Sequence, residues 1–386
     1  MKIWYATLSI MTFNTMVATV IFLCLLWGIL EIRHVITGKG NVVISESIKF
    51  ESFGLTTMEK AKATASEFDS YASQHPFVFN PWTTFMLAPV TGVNLNVIVD
   101  PLINHRATPI EENQSVSRTD NVITIWCFGG STLYGFGVPD DQTISSHLGR
   151  VLGNLDKSKQ YQIVNFGQPY WYSSVEVAGF GALLRSGRKP DIVLFLDGLN
   201  DMANLVAGRT TPYFTDRANA AWERTRSDAR RLISWITVNE SFPITRILRF
   251  VESQTGSIST SDAVFRRTTS MTSDEVVRVY QTNIKMANAL SDAFGVQAHF
   301  FLQPVPWYGK YVSKKVSRSF PFGNRDIAID AYDKIISFHS KQANAHSLHD
   351  ALYVQKSPFV DNFHYSDTSN RLLAKKIAEV ISKTIE

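Results

Sequence analysis

The chain has 386 residues, 45% hydrophobic, 12% aromatic and 19% charged, which supports a sizeable core and excludes a collagen-like, low-complexity or wholly disordered protein. Lys and Arg number 38 and Asp and Glu 34, so 38 − 34 = +4, too mild an excess for a dedicated nucleic-acid binder. Two cysteines, Cys24 and Cys127, exclude a disulfide framework and a zinc site built from several thiolates.

From the amino terminus, residues 3–30 carry no Asp, Glu, Lys or Arg, a run of 28 between Lys2 and Glu31. A helix rising about 1.5 Å per residue needs roughly 20 such residues to cross a bilayer. Trp4, Tyr5 and Trp27 stand where interfacial aromatics would. The expectation is a single transmembrane helix over 3–30, not a cleaved leader, because no small-residue cleavage site follows it. Basic residues on the two sides nearly balance and do not fix orientation; the catalytic domain is expected on the extracytoplasmic side.

Residues 31–118 read as a linker and a small β-rich subdomain, with strand-like alternation at Val93, Leu95, Val97 and Val99. From 119 to 386, apolar runs at 122–128, 161–164, 191–196 and 297–302 alternate with helical periodicity at 145–155, 174–184, 274–294 and 368–382. That alternation predicts an α/β protein, a parallel sheet between two helical layers. Ligands of such sheets bind beyond the carboxyl ends of the strands, so those ends are where chemistry is sought.

Four polar signatures occupy them. The first run is followed by Gly129-Gly130-Ser131-Thr132, a turn that can expose a serine hydroxyl and its N–H at a helix start, or merely cap that helix. After the second comes Asn165-Phe166-Gly167, where glycine admits close approach of its N–H or simply turns the chain. The third ends in Gly198-Leu199-Asn200-Asp201, offering an amide to a developing oxyanion or a cap to the next helix. Near the carboxyl end, Asp361 and His364 stand three apart before a helix, close enough for the carboxylate to orient the imidazole; a lone histidine there is otherwise a surface residue.

Together and in this order, the Gly-Gly-Ser, Gly167, Gly-Leu-Asn-Asp and Asp-Asn-Phe-His blocks resemble the SGNH/GDSL hydrolase superfamily over residues 119–386. The resemblance implies a three-layer α/β/α hydrolase fold and assigns Ser131 as nucleophile, His364 as general base and acid, and Asp361 as the orienting carboxylate. It also implies an oxyanion hole made of the Ser131 N–H, the Gly167 N–H and the Asn200 amide. The family's first block commonly reads Gly-Asp-Ser, and here Gly130 replaces the aspartate. No cofactor is implied. The expected activity is hydrolysis of O-acyl, foremost O-acetyl, esters of a carbohydrate or lipid-linked substrate. An O-acetyltransferase using the same triad is the close alternative, and a non-catalytic binding or assembly protein on the same scaffold is the distant one.

An insertion at 205–270 holds ten Arg, no Lys and six acidic residues, 10 − 6 = +4, so the remaining residues sum to zero. It reads as a solvated helix, a lid over the site, or a surface meeting anionic lipid. Gln303 to Trp307, after the fourth run, is expected to line a wall of the cleft. His346, His349 and Asp350 lack a usual ligand spacing, so no metal is expected. Cys127 is expected to be a buried apolar residue.

Overall fold

The computed structural model describes residues 58–73, 77–109, 121–206, 271–311, 324–355, 358–361 and 363–385, together with Thr19 and Phe22. The chain divides into two units, 1–42 with 219–265 and 43–218 with 266–386. Apart from Thr19 and Phe22, the described residues belong to the second. The expected membrane span at 3–30 (those two residues aside) and the arginine-rich insertion beyond Val206 lie outside them. No helix among the described residues is long and apolar enough to cross a membrane.

The second unit opens with α1 (Met58–Ser73) and a hairpin of β1 (Phe77–Asn80) and β2 (Thr84–Leu87), followed by β3 (Val97–Ile98) and β4 (His105–Arg106). Then come β5 (Val122–Gly129), α2 (Ser131–Tyr134), α3 (Ile144–Leu155), β6 (Gln160–Asn165), α4 (Ser173–Arg185), β7 (Ile192–Asp197) and α5 (Leu199–Leu205). The remainder is α6 (Ser273–Phe294), β8 (Gln297–Leu302), α7 (Arg325–His339), β9 (Ala345–Ser347) and α8 (Asp367–Ile381). Side-chain oxygens of Thr143, Thr272, Asn324 and Ser366 cap α3, α6, α7 and α8.

One seven-stranded sheet runs β3-β4-β6-β5-β7-β8-β9, and β6, β5, β7, β8 and β9 are parallel. The four apolar runs of the sequence are its central strands, and the fold is the expected three-layer α/β/α arrangement. β7 is buried along its whole length and apolar from Ile192 to Leu196 because both faces are covered, whereas β6 keeps Gln162 exposed. With a side-chain period of two, Ile125, Cys127, Ile192, Leu194 and Leu196 face a core shared with α3 and α8. Trp126, Phe128, Val193 and Phe195 face the core shared with α4, α6 and α7. On that second face Phe166, Phe128, Phe195 and Phe300 stack across the sheet at centroid spacings of 5.2, 5.4 and 5.3 Å. Cys127 is fully buried, and burial pushes its thiol up to about 12.

Two local readings change. The strand expected over 93–99 is confined to Val97–Ile98. The Glu67 carboxylate of α1 accepts from the Asn94 and Leu95 N–H groups at 2.8 and 3.0 Å, so that backbone serves a side chain instead of a ladder. Moreover β3 and β4, which precede residue 118, belong to the main sheet: β4 pairs antiparallel with β6 through Arg106 and Asn165.

Candidate active site

The order of the sheet reverses between β5 and β7, since β6 lies on one side of β5 and β8 on the far side of β7. A crevice opens at such a switch point, outside the carboxyl ends of the strands. Ser131 follows β5 and Asn200 follows β7, so both flank it.

Ser131 is the first residue of α2, where a backbone N–H has no intrahelical acceptor. The short helix is held from behind: Thr132 Oγ1 donates to Gln303 Oε1 at 2.6 Å, and Asn165 Nδ2 donates to the Leu133 carbonyl at 3.0 Å. Gln303, read from sequence as cleft wall, thus supports the nucleophile's helix.

His364 and Asp361 come from a tight loop before α8. Its stem is a bridge between Phe359 and Tyr365, and Val360 N–H donates to the His364 carbonyl at 2.8 Å. The Tyr365 hydroxyl ties the loop to the Pro304 carbonyl at 2.6 Å. His364 Nε2 lies 2.8 Å from Ser131 Oγ, and His364 Nδ1 lies 2.6 Å from Asp361 Oδ2. Asp361 Oδ1 also accepts the N–H groups of Phe363 and His364, each at 2.7 Å. Burial alone would raise the Asp361 carboxyl. The neighbouring imidazole and these three donors outweigh it and hold the group below the usual carboxylate range. A carboxylate accepting at Nδ1 places the ring proton there and leaves Nε2 to accept the serine proton. The sequence-predicted Ser131, His364 and Asp361 are therefore brought together in working order.

Asn200 stands beside them. Its Nδ2 donates to the Trp171 carbonyl at 2.7 Å, leaving the second amide proton for a ligand. Gly167 does not take the place expected of it. Its N–H donates to Asn165 Oδ1 at 2.9 Å, and a Cβ there would lie 2.5 Å from Tyr134 N. Glycine is needed at 167 because the backbone of α2 passes so close, and the oxyanion donors reduce to the Ser131 N–H and the Asn200 amide.

Arg106, absent from the sequence reading, is fully buried. Its guanidinium pairs with Asp140 and donates to the carbonyls of Val138 at 2.9 Å and Tyr134 at 3.3 Å. It also lies over the Phe68 and Tyr134 rings. The loop so anchored carries Phe136, whose ring meets the His364 imidazole at 4.5 Å and covers one face of it. A single arginine in a short strand gives no sequence signal of this kind.

Behind Asn200 lie three carboxyls, Glu176, Asp197 and Asp201, with relative exposures of 0, 4 and 0%. Asp201 accepts from Ser173 and from the Gly198 N–H. No N–H or hydroxyl meets either Glu176 oxygen or Asp197 Oδ1, which leaves the two carboxyls to share a proton with each other. Burial, then the charge of Asp197, drives Glu176 well above the carboxylate range; burial, then the charge of Asp201, does so for Asp197. The folded chain therefore binds protons that the unfolded chain releases above about pH 4, and stability is lost as pH rises, by about 1.4 kcal/mol per unit per proton. Thermal denaturation between pH 5 and 9 is expected to show a falling Tm, with a shallower slope in Glu176→Gln. Parallel slopes would mean that Glu176 is ionised in the folded chain.

No metal-binding group of three or more His, Cys, Asp or Glu occurs among the described residues.

A serine hydrogen-bonded to an imidazole that a largely shielded carboxylate orients is the apparatus of a serine hydrolase. Residues 125–377 match the GDSL-like lipase/acylhydrolase family, and the chain belongs to that family. Among solved structures it is similar to a lipolytic protein of the G-D-S-L family from Veillonella parvula, at 11% identity and a TM-score of 0.39, covering 68% of this chain and 99% of that one. A carbohydrate acetylesterase from Sinorhizobium meliloti is similar at 14% identity and a TM-score of 0.38, covering 68% and 99%. A psychrotrophic esterase from Pseudoalteromonas is similar at 13% and 0.36, covering 68% and 98%. No curated protein sequence matches the chain.

Proposed function

We propose that this protein is a serine esterase that removes O-acyl groups, foremost O-acetyl, from a carbohydrate or lipid-linked substrate. The observation that carries the reading is the unbroken contact from Ser131 Oγ through His364 to Asp361. Ser131 Oγ attacks the ester carbonyl carbon as its proton passes to His364 Nε2. The tetrahedral oxyanion is met by the Ser131 N–H and the Asn200 amide. Collapse breaks the bond to the alcohol, which leaves with the proton from His364, and Ser131 remains acylated. Water, deprotonated by the same imidazole, attacks the acyl-enzyme and frees the acid. An acceptor hydroxyl in place of that water would make the protein an O-acetyltransferase.

The uncharged stretch 3–30 supports a single-span anchor and hence a substrate at the membrane or cell surface; the extracytoplasmic side is our assignment for the catalytic domain. The test is turnover of p-nitrophenyl acetate by the full chain, with a fluorophosphonate as covalent probe. The expected result is turnover abolished in step with a single adduct on Ser131, located by peptide mass spectrometry. Turnover without labelling, or no turnover, would remove the esterase reading. Supplying oligosaccharide acceptors and looking for acetylated product separates transfer from hydrolysis.

A further inference from the structure

The loop leaving β6 carries a residue that neither fold nor triad accounts for. From Asn165 to Ser173 every residue is buried except Tyr170, which is 55% exposed. Tyr170 also has φ = +70°, in the left-handed region where a side chain with a Cβ costs roughly 1–2 kcal/mol. Strain of that kind at a residue other than glycine, held by a rigid surround, points to a use for the side chain.

The residues around Tyr170 hold its loop against the turn that carries the nucleophile. Gln168 N–H donates to the Gly129 carbonyl at 3.0 Å. On the other side the Trp171 carbonyl holds the Asn200 amide and lies 3.1 Å from where a Gly130 Cβ would be. The Tyr170 ring leans on Phe77 of β1 at 5.9 Å, and next along that strand Val78 and Phe79 are 37 and 54% exposed. Phe79 shares its strand face with Phe77, so among the described residues Tyr170 and Phe79 present exposed aromatic rings on this side. A long acyl chain gains most from enclosure, whereas the apolar face of a sugar ring stacks on an exposed aromatic while its hydroxyls stay in water.

We propose that Tyr170 is a specificity-determining platform that stacks the pyranose ring on the alcohol side of the ester, assigning an O-acylated pyranoside as substrate. The proposal rests on the esterase reading above and names the substrate of that same site.

The two positions of failure can be told apart with Tyr170→Gly, because glycine adopts φ = +70° without strain and removes only the ring. The probes are 6-O-acetyl methyl glucoside and methyl acetate, and the readout is the ratio of their kcat/KM values on the full chain. That ratio is expected to fall roughly three- to tenfold in Tyr170→Gly and to stay within about twofold in Tyr170→Phe. The Tm of the glycine variant should not fall. Calorimetric binding of the sugar ester to the Ser131→Ala chain should weaken by a similar factor. An unchanged ratio, an equal loss on both esters with a lowered Tm, or a loss that follows acyl chain length overturns the platform. Cleavage by the parent chain with binding indifferent to Tyr170 overturns the platform alone. Weakened binding without cleavage overturns the esterase reading and leaves the platform standing.

Discussion

Ser131→Ala is expected to lower kcat for ester hydrolysis by about 10⁴-fold or more, leaving only what binding and the oxyanion donors supply. The circular-dichroism spectrum and Tm should stay close to those of the parent, because the hydroxyl's partner is the partly solvated His364 Nε2. Asp361→Asn should fall by a comparable factor for a different reason. Asp361 accepts three N–H groups, two of them from the backbone of its own loop. An amide there turns donors toward at least one of these donors, so the imidazole loses both its tautomer and its support. The double variant should be hardly worse than either single one, since the residues act as a unit. Protonation separates them: Asp361 is held ionised below the usual carboxylate range, so its stabilising pairing is complete above about pH 4 and is lost only as pH falls through its lowered value. Acid unfolding should therefore begin at a higher Tm penalty in the parent than in Asp361→Asn. Additive losses in kcat, or full activity in Asp361→Asn, would break the proposed relay.

How much of this was legible in the sequence follows from the kind of signal each part leaves. The central strands announce themselves because a strand covered on both faces is a continuous apolar run, as in Ile192 to Leu196. Ser131, Asn200, Asp361 and His364 each sit at a strand end or before a helix, where capping alone can explain a polar residue, and they were legible only through their joint order and the family it resembles. β9 was missed: three residues, Ala345 to Ser347, cannot show a period. The contribution of residues 58–109 was missed because Glu67 and Arg106 act through long side chains on distant backbone, at sites adjacent in space and not in sequence. Gly167 misled for a related reason. A glycine signals that something passes close, and here the close neighbour is the backbone of α2 instead of a substrate.

Gly130 shows the same logic with the opposite outcome. Compared with the commoner Gly-Asp-Ser block, Gly-Gly-Ser reads as a departure. Its backbone, at φ −80° and ψ −158°, lies in the extended region open to any residue, so conformation does not call for glycine. Space does. A Cβ at 130 would lie 2.2 Å from Asn200 Nδ2 and 3.3 Å from its Cγ. The amide cannot simply swing away, because the Trp171 carbonyl holds it and Asp201 fixes the following turn to Gly198 and Ser173. Gly130→Asp, which restores the commoner block, is therefore expected to lower kcat by about 10²–10³-fold, the loss of one oxyanion donor. Gly130→Ala should share most of that loss, since the first side-chain carbon makes the clash. In an Asn200→Ala background, where the obstructing amide is gone, Gly130→Ala should cost little more, and the cycle closes on a coupling energy of several kcal/mol. Independent, additive losses would show that Gly130 matters for the strand-to-helix turn and not for the seat of Asn200. The expected coupling would instead make Gly130 and Asn200 a matched pair in this chain, in which the missing aspartate is the space the oxyanion amide occupies.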